Sequence, residues 1–125
     1  MSVPTDLLYT PDHEWLRLAD GTAVVGVTHY AADALGEVVH VELPAPGTRL
    51  VQGQVCGEIE STKSVGDLFA PADGEVLQRN ETVVAEPALV NTEPYGTGWL
   101  FTMSVPITPD LLDAAGYAAQ LDHDG

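Results

Sequence analysis

The alternation of short apolar segments with tight-turn residues constrains the fold of this chain more than any other feature. Asp20-Gly21 separates the apolar segments 15–18 and 22–27. Asp-Gly in that setting is typical of a β-hairpin, because both central residues of a type I′ turn need a positive φ angle. Residues 44–47, Pro-Ala-Pro-Gly, and the pair Asp73-Gly74 indicate further turns. The pattern therefore predicts a mainly β protein.

Further strands are predicted wherever a short run is rich in apolar and β-branched residues. Residues 82–85, Thr-Val-Val-Ala, are an additional candidate strand. Along the strand that begins at Val55, alternation would place Val55 and Ile59 on one face and Cys56 on the other. The other predicted strands are 37–43, 50–51, 55–60, 65–70 and 76–77, and the apolar run 99–105 follows without a clear buried face.

Two helices are predicted from capping residues. Thr28 is placed to cap a short, alanine-rich helix over residues 30–35, and Gly36 suits its C-terminal end. Near the end of the chain, Thr108 suits an N-cap and Pro109 the first helical position. We therefore expect short helices beside the strands and a C-terminal helix that starts at Pro109.

Length and composition favour one domain with a substantial core. A chain of 125 residues, 45% of them apolar, is most simply a single domain that spans residues 1–125. With one cysteine, Cys56, no internal disulfide is possible, and the four histidines lack the spacing of metal ligands. The sequence contains no nucleophile elbow and no phosphate-binding glycine loop. Intrinsic catalysis is therefore the least expected function.

The chain is strongly acidic, with four Lys and Arg against nineteen Asp and Glu and a formal charge of −15. Such a surface repels nucleic acid and anionic membranes and favours basic patches on partner proteins, although solubility explains it equally well. The N-terminus resembles neither a signal peptide nor a transit peptide, and no apolar run reaches the roughly 20 residues that span a bilayer. We expect a cytoplasmic bacterial protein, with a mature mitochondrial form as the alternative.

Lys63 is the only lysine in the chain, and it lies in the run Gly-Glu-Ile-Glu-Ser-Thr-Lys-Ser-Val, residues 57–65. Lysine is normally among the commonest residues, so its absence elsewhere singles out this amine. Strands predicted on both sides place it at the tip of a hairpin covering about 55–70. A projecting primary amine suggests a site that an enzyme modifies, with an ordinary exposed turn lysine as the alternative.

The sequence from Gly57 to Val76 closely resembles the lipoyl-attachment segment of glycine cleavage system H proteins. Further blocks of the chain resemble the same family, in order along the sequence. They are His13-Glu14-Trp15, residues 26–31, residues 34–39, Val41-Glu42-Leu43-Pro44, Leu89-Val90-Asn91 and residues 94–100. The resemblance covers most of the chain, which makes it far more specific than a single lysine motif.

This resemblance implies a hammerhead-type β-sandwich, a barrel-sandwich hybrid, with lipoic acid joined to Lys63 by an amide bond. It implies a shuttle rather than an enzyme. The protein would carry the aminomethyl group of glycine from the decarboxylase (P protein) to the aminomethyltransferase (T protein). Dihydrolipoamide dehydrogenase (L protein) would then reoxidise it, and a lipoate ligase or lipoyl transferase would attach the cofactor. No nucleic-acid or membrane partner is implied, and we expect a monomer.

The resemblance also implies that Glu14 and Asp67 line a docking site for the lipoyl arm. Carboxylates there would stabilise the cationic amine of the carried group, and docking would shield that group from water. From the residues alone, Glu14 would be a solvated charge beside Trp15, and Asp67 a turn residue after Gly66. The chain departs from the family in its scarcity of lysine and in Thr102, where a basic residue is usual.

Other carriers and a relay function compete with this interpretation. Biotin carrier domains resemble this hairpin, but methionines usually flank their lysine, where this chain has Thr62 and Ser64. Lipoyl domains of 2-oxoacid dehydrogenase complexes usually have aspartate before the lysine and belong to long multidomain chains. An H-like protein that relays lipoate to other apoproteins is not separated from a glycine cleavage component by sequence.

Overall fold

The chain folds as two antiparallel sheets with short helices, as seen in a computed structural model that describes residues 3–124, with side chains to Leu121. The strands are β1 (Leu8–Tyr9), β2 (Glu14–Ala19), β3 (Thr22–Val27), β4 (Val38–Glu42), β5 (Arg49–Leu50), β6 (Val55–Ser61), β7 (Val65–Phe69), β8 (Gly74–Arg79) and β9 (Phe101–Ser104). The helices are α1 (His29–Leu35), α2 (Glu81–Ala85), α3 (Leu89–Thr92) and α4 (Ala114–Asp124). None of the helices in this described part is long and apolar enough to cross a bilayer.

The strand order is β1-β2-β3-β9-β8-β5 in the larger sheet and β4-β6-β7 in the smaller one, and within the described residues neither sheet closes into a barrel. The mainly β fold with short helices and a C-terminal helix is therefore confirmed. The turn between β2 and β3 has φ angles of 53° at Asp20 and 78° at Gly21, as the predicted type I′ turn requires.

The larger of two buried clusters joins the sheets and supports the Lys63 hairpin. The smaller sheet contributes Val41, Ile59 and Leu68, and the larger sheet contributes Val25, Val76 and Phe101 among others. Each such side chain contributes about 1.5 to 3 kcal/mol when fully buried. The β6–β7 hairpin is thus held on the larger sheet up to the residues that precede its tip.

A second buried cluster packs α4 against the edge of the larger sheet. The rings of Tyr9 and Tyr117 stack with centroids 4.7 Å apart and planes 9° from parallel. The indole N–H of Trp15 donates to the carbonyl oxygens of Val27 at 3.0 Å and Pro94 at 2.9 Å. The termini of the described chain are therefore joined by aromatic packing next to β2.

The C-terminal helix begins at Ala114, so the predicted start at Pro109 is wrong. Leu112 is extended, because its N–H and carbonyl exchange hydrogen bonds of 2.9 and 2.8 Å with Tyr9. The cap is Asp113, whose Oδ1 accepts the N–H of Gly116 at 2.8 Å. Because Leu112 pairs with β1, the helix cannot include it and begins only at Ala114, although Thr108 and Pro109 are better suited to a helix N-terminus.

The candidate strand at residues 82–85 is also wrong, because these residues form α2. Asn80 caps this helix by accepting the N–H of Thr82 at 3.1 Å, while its amide donates to the carbonyl of Trp99 at 2.6 Å. The predicted caps of α1 are confirmed: Thr28 accepts the N–H of Ala31, and Gly36 has a φ of 86°.

The predicted alternation of β6 side chains between the two faces of the sheet is wrong at the start of the strand. The register between β6 and β7 shifts between Val55 and Gly57, as a bulge requires. Val55 is therefore 56% exposed, whereas Cys56 packs against the core and Ile59 is 2% exposed. Because of the bulge, Val55 does not share the buried face of Ile59, as strict alternation along the strand would require.

Candidate functional site

Lys63 is exposed at the tip of a hairpin whose backbone is fixed by hydrogen bonds. The N–H of Ser61 donates to the carbonyl of Ser64 at 2.8 Å. The Ser61 hydroxyl accepts the N–H groups of Ser64 at 3.0 Å and Lys63 at 3.3 Å. The N–H of Thr62 donates to the carbonyl of Glu37, at 3.0 Å, on the neighbouring connection. Four hydrogen bonds therefore fix the backbone from which the exposed Lys63 side chain extends.

The aliphatic part of Lys63 lies against Gly36, at the C-terminal end of α1. A Cβ at Gly36 would lie 3.0 Å from the lysine Cε and 3.7 Å from Nζ, so glycine leaves room for this side chain. A helix C-terminus carries partial negative charge, which favours a nearby ammonium group. The amide of Asn91 donates to the Gly36 carbonyl at 2.8 Å and fixes its position.

A cleft of about 160 Å³ contains both predicted acidic residues and extends to Leu35, the residue before Gly36. Gly66 keeps it open, since a Cβ there would lie 3.1 Å from Cδ2 of Leu35. Leu35 immediately precedes Gly36, so one wall of the cleft continues to the residue that Lys63 contacts. The lining residues are Asp12, Glu14, Val27, Ala31, Leu35, Ile59, Gly66, Asp67 and Leu68. We call this site the arm cleft.

Glu14 is the buried acid of the arm cleft, with 3% of its surface exposed. Its Oε2 accepts the backbone N–H of Phe69 at 2.8 Å, while its Oε1 has no hydrogen-bond partner among the described residues. Burial raises the pKa of this carboxyl to about 8, a shift to which Asp12 adds and which the Phe69 N–H opposes. The acid therefore holds a proton near neutral pH unless a cation approaches Oε1.

A larger groove of about 370 Å³ is not the candidate site. It lies at the ends of β4, β5 and β6, where Glu42, Arg49 and Cys56 are among its lining residues, and it includes neither Glu14 nor Asp67. Burial raises the pKa of the Cys56 thiol to about 12, which makes it a poor nucleophile. Among the residues that the structure describes, no three metal-ligating side chains are grouped together.

The structure brings Glu14 and Asp67 into one cleft, whereas Lys63 is not part of its lining and lies against Gly36, which follows the wall residue Leu35. Glu14 is buried, so it is not the solvated charge that the residues alone suggest. Asp67 lies within β7 rather than in a turn, and it is exposed. Sequence reasoning missed Asp12, although its position two residues before Glu14 was a usable signal, and it missed Leu35 as a wall.

The family of the chain follows from comparison with known proteins. The sequence model of the glycine cleavage H-protein family matches residues 7–123. The chain belongs to this family. It is 55% identical to the glycine cleavage system H protein of Beutenbergia cavernae over 119 residues, which covers 95% of this chain and 96% of that protein. The H protein of Thermobifida fusca is 46% identical over 126 residues and is covered completely.

A solved structure agrees with this assignment. The crystal structure of a glycine cleavage system H protein from Mycobacterium marinum superposes with a TM-score of 0.92 at 44% identity, covering 96% of this chain and 99% of that one. The predicted membership in the H-protein family is therefore confirmed. Assignment to a biotin carrier or to a 2-oxoacid dehydrogenase lipoyl domain is correspondingly dropped.

Proposed function

We propose that this H protein is the lipoyl-bearing shuttle of a glycine cleavage system, without catalytic activity of its own. It would carry the aminomethyl group of glycine from the P protein to the T protein, and the L protein would reoxidise it. Lys63 is the proposed attachment point, and Glu14 and Asp67 are the proposed docking residues. The observation that carries the proposal is the buried Oε1 of Glu14, which has no hydrogen-bond partner among the described residues, in a cleft whose wall residue Leu35 precedes the glycine next to the lysine side chain.

The residues present fit a lipoyl group. Lys63 is exposed on a fixed hairpin, where a lipoate ligase or lipoyl transferase can reach it. The walls formed by Val27, Ile59 and Leu68 suit the hydrocarbon part of the arm. When bound, the group would supply a dithiolane disulfide, which is reduced as one of its sulfurs takes up the aminomethyl cargo and which the L protein would reoxidise after the cargo has left.

The arm cleft can protect a cationic amine in two ways. As the cationic amine approaches Oε1, Glu14 releases its proton to solvent and becomes the carboxylate partner of the cation. Such a pair is much stronger away from bulk water than on the surface. Asp12 and Asp67, both exposed, add negative charge near the same lining. The apolar walls meanwhile exclude water, which would otherwise hydrolyse the cargo.

The broader setting of the protein belongs to the same proposal. We expect a single domain over residues 1–125, acting as a monomer in the bacterial cytoplasm. Its charge of −15 would favour docking on basic surfaces of the P, T and L proteins and of the attaching enzyme. The expected association rates would fall steeply with ionic strength.

The attachment step is tested by intact mass and peptide mapping. The unmodified protein is incubated with a lipoate ligase, lipoate and ATP, in parallel with Lys63→Arg, which should fold like the wild type. We expect the mass of one lipoyl group on Lys63 and none on the variant. Modification at another site, a failure to react, or a biotin mass on protein purified from its own cells would overturn the assignment.

A lipoate-relay function for other complexes requires the same lysine and hairpin. It does not require a buried acid, because a relayed lipoyl group carries no amine. A Glu14→Gln variant therefore distinguishes the relay function from the shuttle function. Transfer of lipoate to other apoproteins would survive that change, whereas protection of the aminomethyl cargo would not.

A further inference from the structure

The hydroxyl of Tyr117 on α4 joins two residues that lie far apart in the sequence. It lies 2.8 Å from Nδ1 of His13 and 2.7 Å from Oγ1 of Thr28. The backbone N–H of Thr28 also donates to the carbonyl of His13, at 3.0 Å. Tyr117 and Thr28 are both fully buried. The three residues form a closed set of contacts, which we call the Tyr117 clamp.

Each partner of Tyr117 adjoins a different part of the arm cleft. His13 lies between Asp12 and Glu14, which supply two of the acidic groups of the lining. Thr28 follows Val27 of the lining and caps α1, where Ala31 continues the same wall. The clamp therefore connects the segment that carries Asp12 and Glu14 to α1, which forms an apolar wall of the arm cleft.

His13 needs such support because its φ angle is 67°. For a residue other than glycine this left-handed conformation is strained, and it persists where surrounding contacts hold it. The His13 ring contacts the rings of Tyr30 and Tyr117, with centroids 4.7 and 5.6 Å away. A change in this conformation would turn the backbone on both sides and move Glu14 relative to the cleft.

The hydrogen bonds of the clamp can be satisfied with either tautomer of His13. A phenol can donate one hydrogen bond and accept another. If Nδ1 carries a proton, it donates to Tyr117, which donates to Thr28. If Nδ1 is bare, Thr28 donates to Tyr117, which donates to Nδ1. The clamp therefore links the two cleft segments in both cases.

We propose that Tyr117 is a positioning residue of the arm cleft, through which the C-terminal helix fixes the acidic segment relative to α1. This inference rests on the proposed function, since it assigns the clamp a role in shielding the docked arm. The helix itself contributes no residue to the cleft lining. Gln120 on the same helix also donates to the carbonyl of Pro11, at 2.9 Å, whereas the Tyr117 hydroxyl reaches both the acidic segment and α1.

The link is tested first on the unmodified protein, by amide hydrogen exchange of Tyr117→Phe and Tyr9→Phe. Tyr9 is the matched control: it is equally buried and stacks on Tyr117, but its hydroxyl donates to the carbonyl of Pro4, away from the cleft. We expect Tyr117→Phe to raise exchange at Thr28 and Ala31 roughly tenfold, the scale of one lost hydrogen bond. Equal exchange in the two variants would overturn the link.

The role in shielding is tested on lipoylated protein that carries the aminomethyl group. We expect Tyr117→Phe to shorten the lifetime of the cargo severalfold, with an unchanged rate of lipoylation and with Tyr9→Phe near wild type. Equal lifetimes in the two variants would overturn the proposal. His13→Asn, which tolerates positive φ but lacks the ring, replaces Tyr117→Phe if that variant does not fold. A Lys63 that cannot be lipoylated would overturn the shielding role together with the proposed function, while the exchange experiment would still decide the link.

Discussion

The carboxyl group of Glu14, at the start of β2, accepts a hydrogen bond of 2.8 Å from the backbone N–H of Phe69, at the end of β7. The two residues belong to different sheets, so this contact connects the sheets at the arm cleft. One oxygen of the carboxyl group is thereby fixed by the fold, and the other is left for a ligand. The same side chain thus serves the structure and the proposed site.

Glu14 should make the protein less stable as the pH rises. Its folded pKa of about 8 lies above the ordinary value of 4.5, so between these values the folded protein holds a proton that the unfolded chain has released. Stability contributed by that proton is present at low pH and is lost as the pH passes through the folded pKa. The slope approaches about 1.4 kcal/mol for each pH unit. Glu14→Gln should remove it.

Urea unfolding between pH 6 and 8 measures this effect as a difference between the two proteins. The other ionisable groups of the chain are the same in the wild type and in Glu14→Gln. Their effect therefore cancels in the comparison. Parallel pH profiles of the two free energies of unfolding would show that Glu14 is ionised in the folded protein throughout this range.

Glu14→Ala should leave lipoylation intact and shorten the lifetime of the aminomethyl cargo. The variant removes the buried partner of the amine, and it also lets water into the space that the carboxyl group occupies. Asp67→Asn should have a smaller effect, because Asp67 is exposed and its charge is screened. The release of formaldehyde and ammonia from loaded protein measures both lifetimes. An unchanged lifetime in Glu14→Ala would remove this residue from the docking site.

Local sequence signals predicted those parts of the fold in which neighbouring residues decide the structure. The Asp20-Gly21 turn and the caps of α1 depend on the φ preferences and side chains of adjacent residues, and both are confirmed. The predictions of a strand at 82–85 and of a helix start at Pro109 were wrong, because residues distant in sequence decide the structure there. Asn80 and Leu112 are fixed by bonds to Trp99 and Tyr9, which no local pattern reveals.

In the candidate site, too, the features that depend on local sequence were predictable and those that depend on packing were not. A single lysine in a short hairpin can be read from composition and turn chemistry. The burial of Glu14 cannot, because it depends on where β7 and α1 pack against β2. The family resemblance named Glu14 and Asp67 without that packing, whereas Leu35 and Tyr117 emerge only from the assembled structure.

Gly26→Ala should destabilise the protein by about 1 to 3 kcal/mol through overpacking. A Cβ at this position would lie 2.5 Å from the Trp15 ring, which two hydrogen bonds from its indole N–H hold in place. Gly96→Ala is the control, since its nearest neighbour would be 3.5 Å away, on the flexible side chain of Glu93. Thermal or urea unfolding compares the two variants. Equal stabilities would mean that the indole can move aside.

Asn91→Asp should destabilise the protein by about 2 to 3 kcal/mol and disturb Gly36 next to Lys63. The Asn91 amide donates to the carbonyls of Gly36 at 2.8 Å and Ala32 at 3.3 Å, and a carboxylate would face both oxygens without a proton to share. Thr92→Ala, an exposed position on the same helix, should change stability by less than about 0.5 kcal/mol. A stable Asn91→Asp would show that the carboxyl group is protonated or that α1 has shifted, which the exchange rate of the Gly36 amide would distinguish.

Cys56 should react slowly with iodoacetamide in the folded protein and rapidly in urea. Burial is the main cause of its raised pKa of about 12, and the nearby Glu14 adds to it, so at pH 8 the reactive thiolate is scarce. The shift from 9.0 to about 12 lowers the thiolate fraction roughly a thousandfold at that pH. Mass spectrometry of alkylated protein gives both rates, with a cysteine peptide as the reference. A folded-state rate within about tenfold of the peptide would mean that the bulge at Val55 opens often enough to expose the thiol.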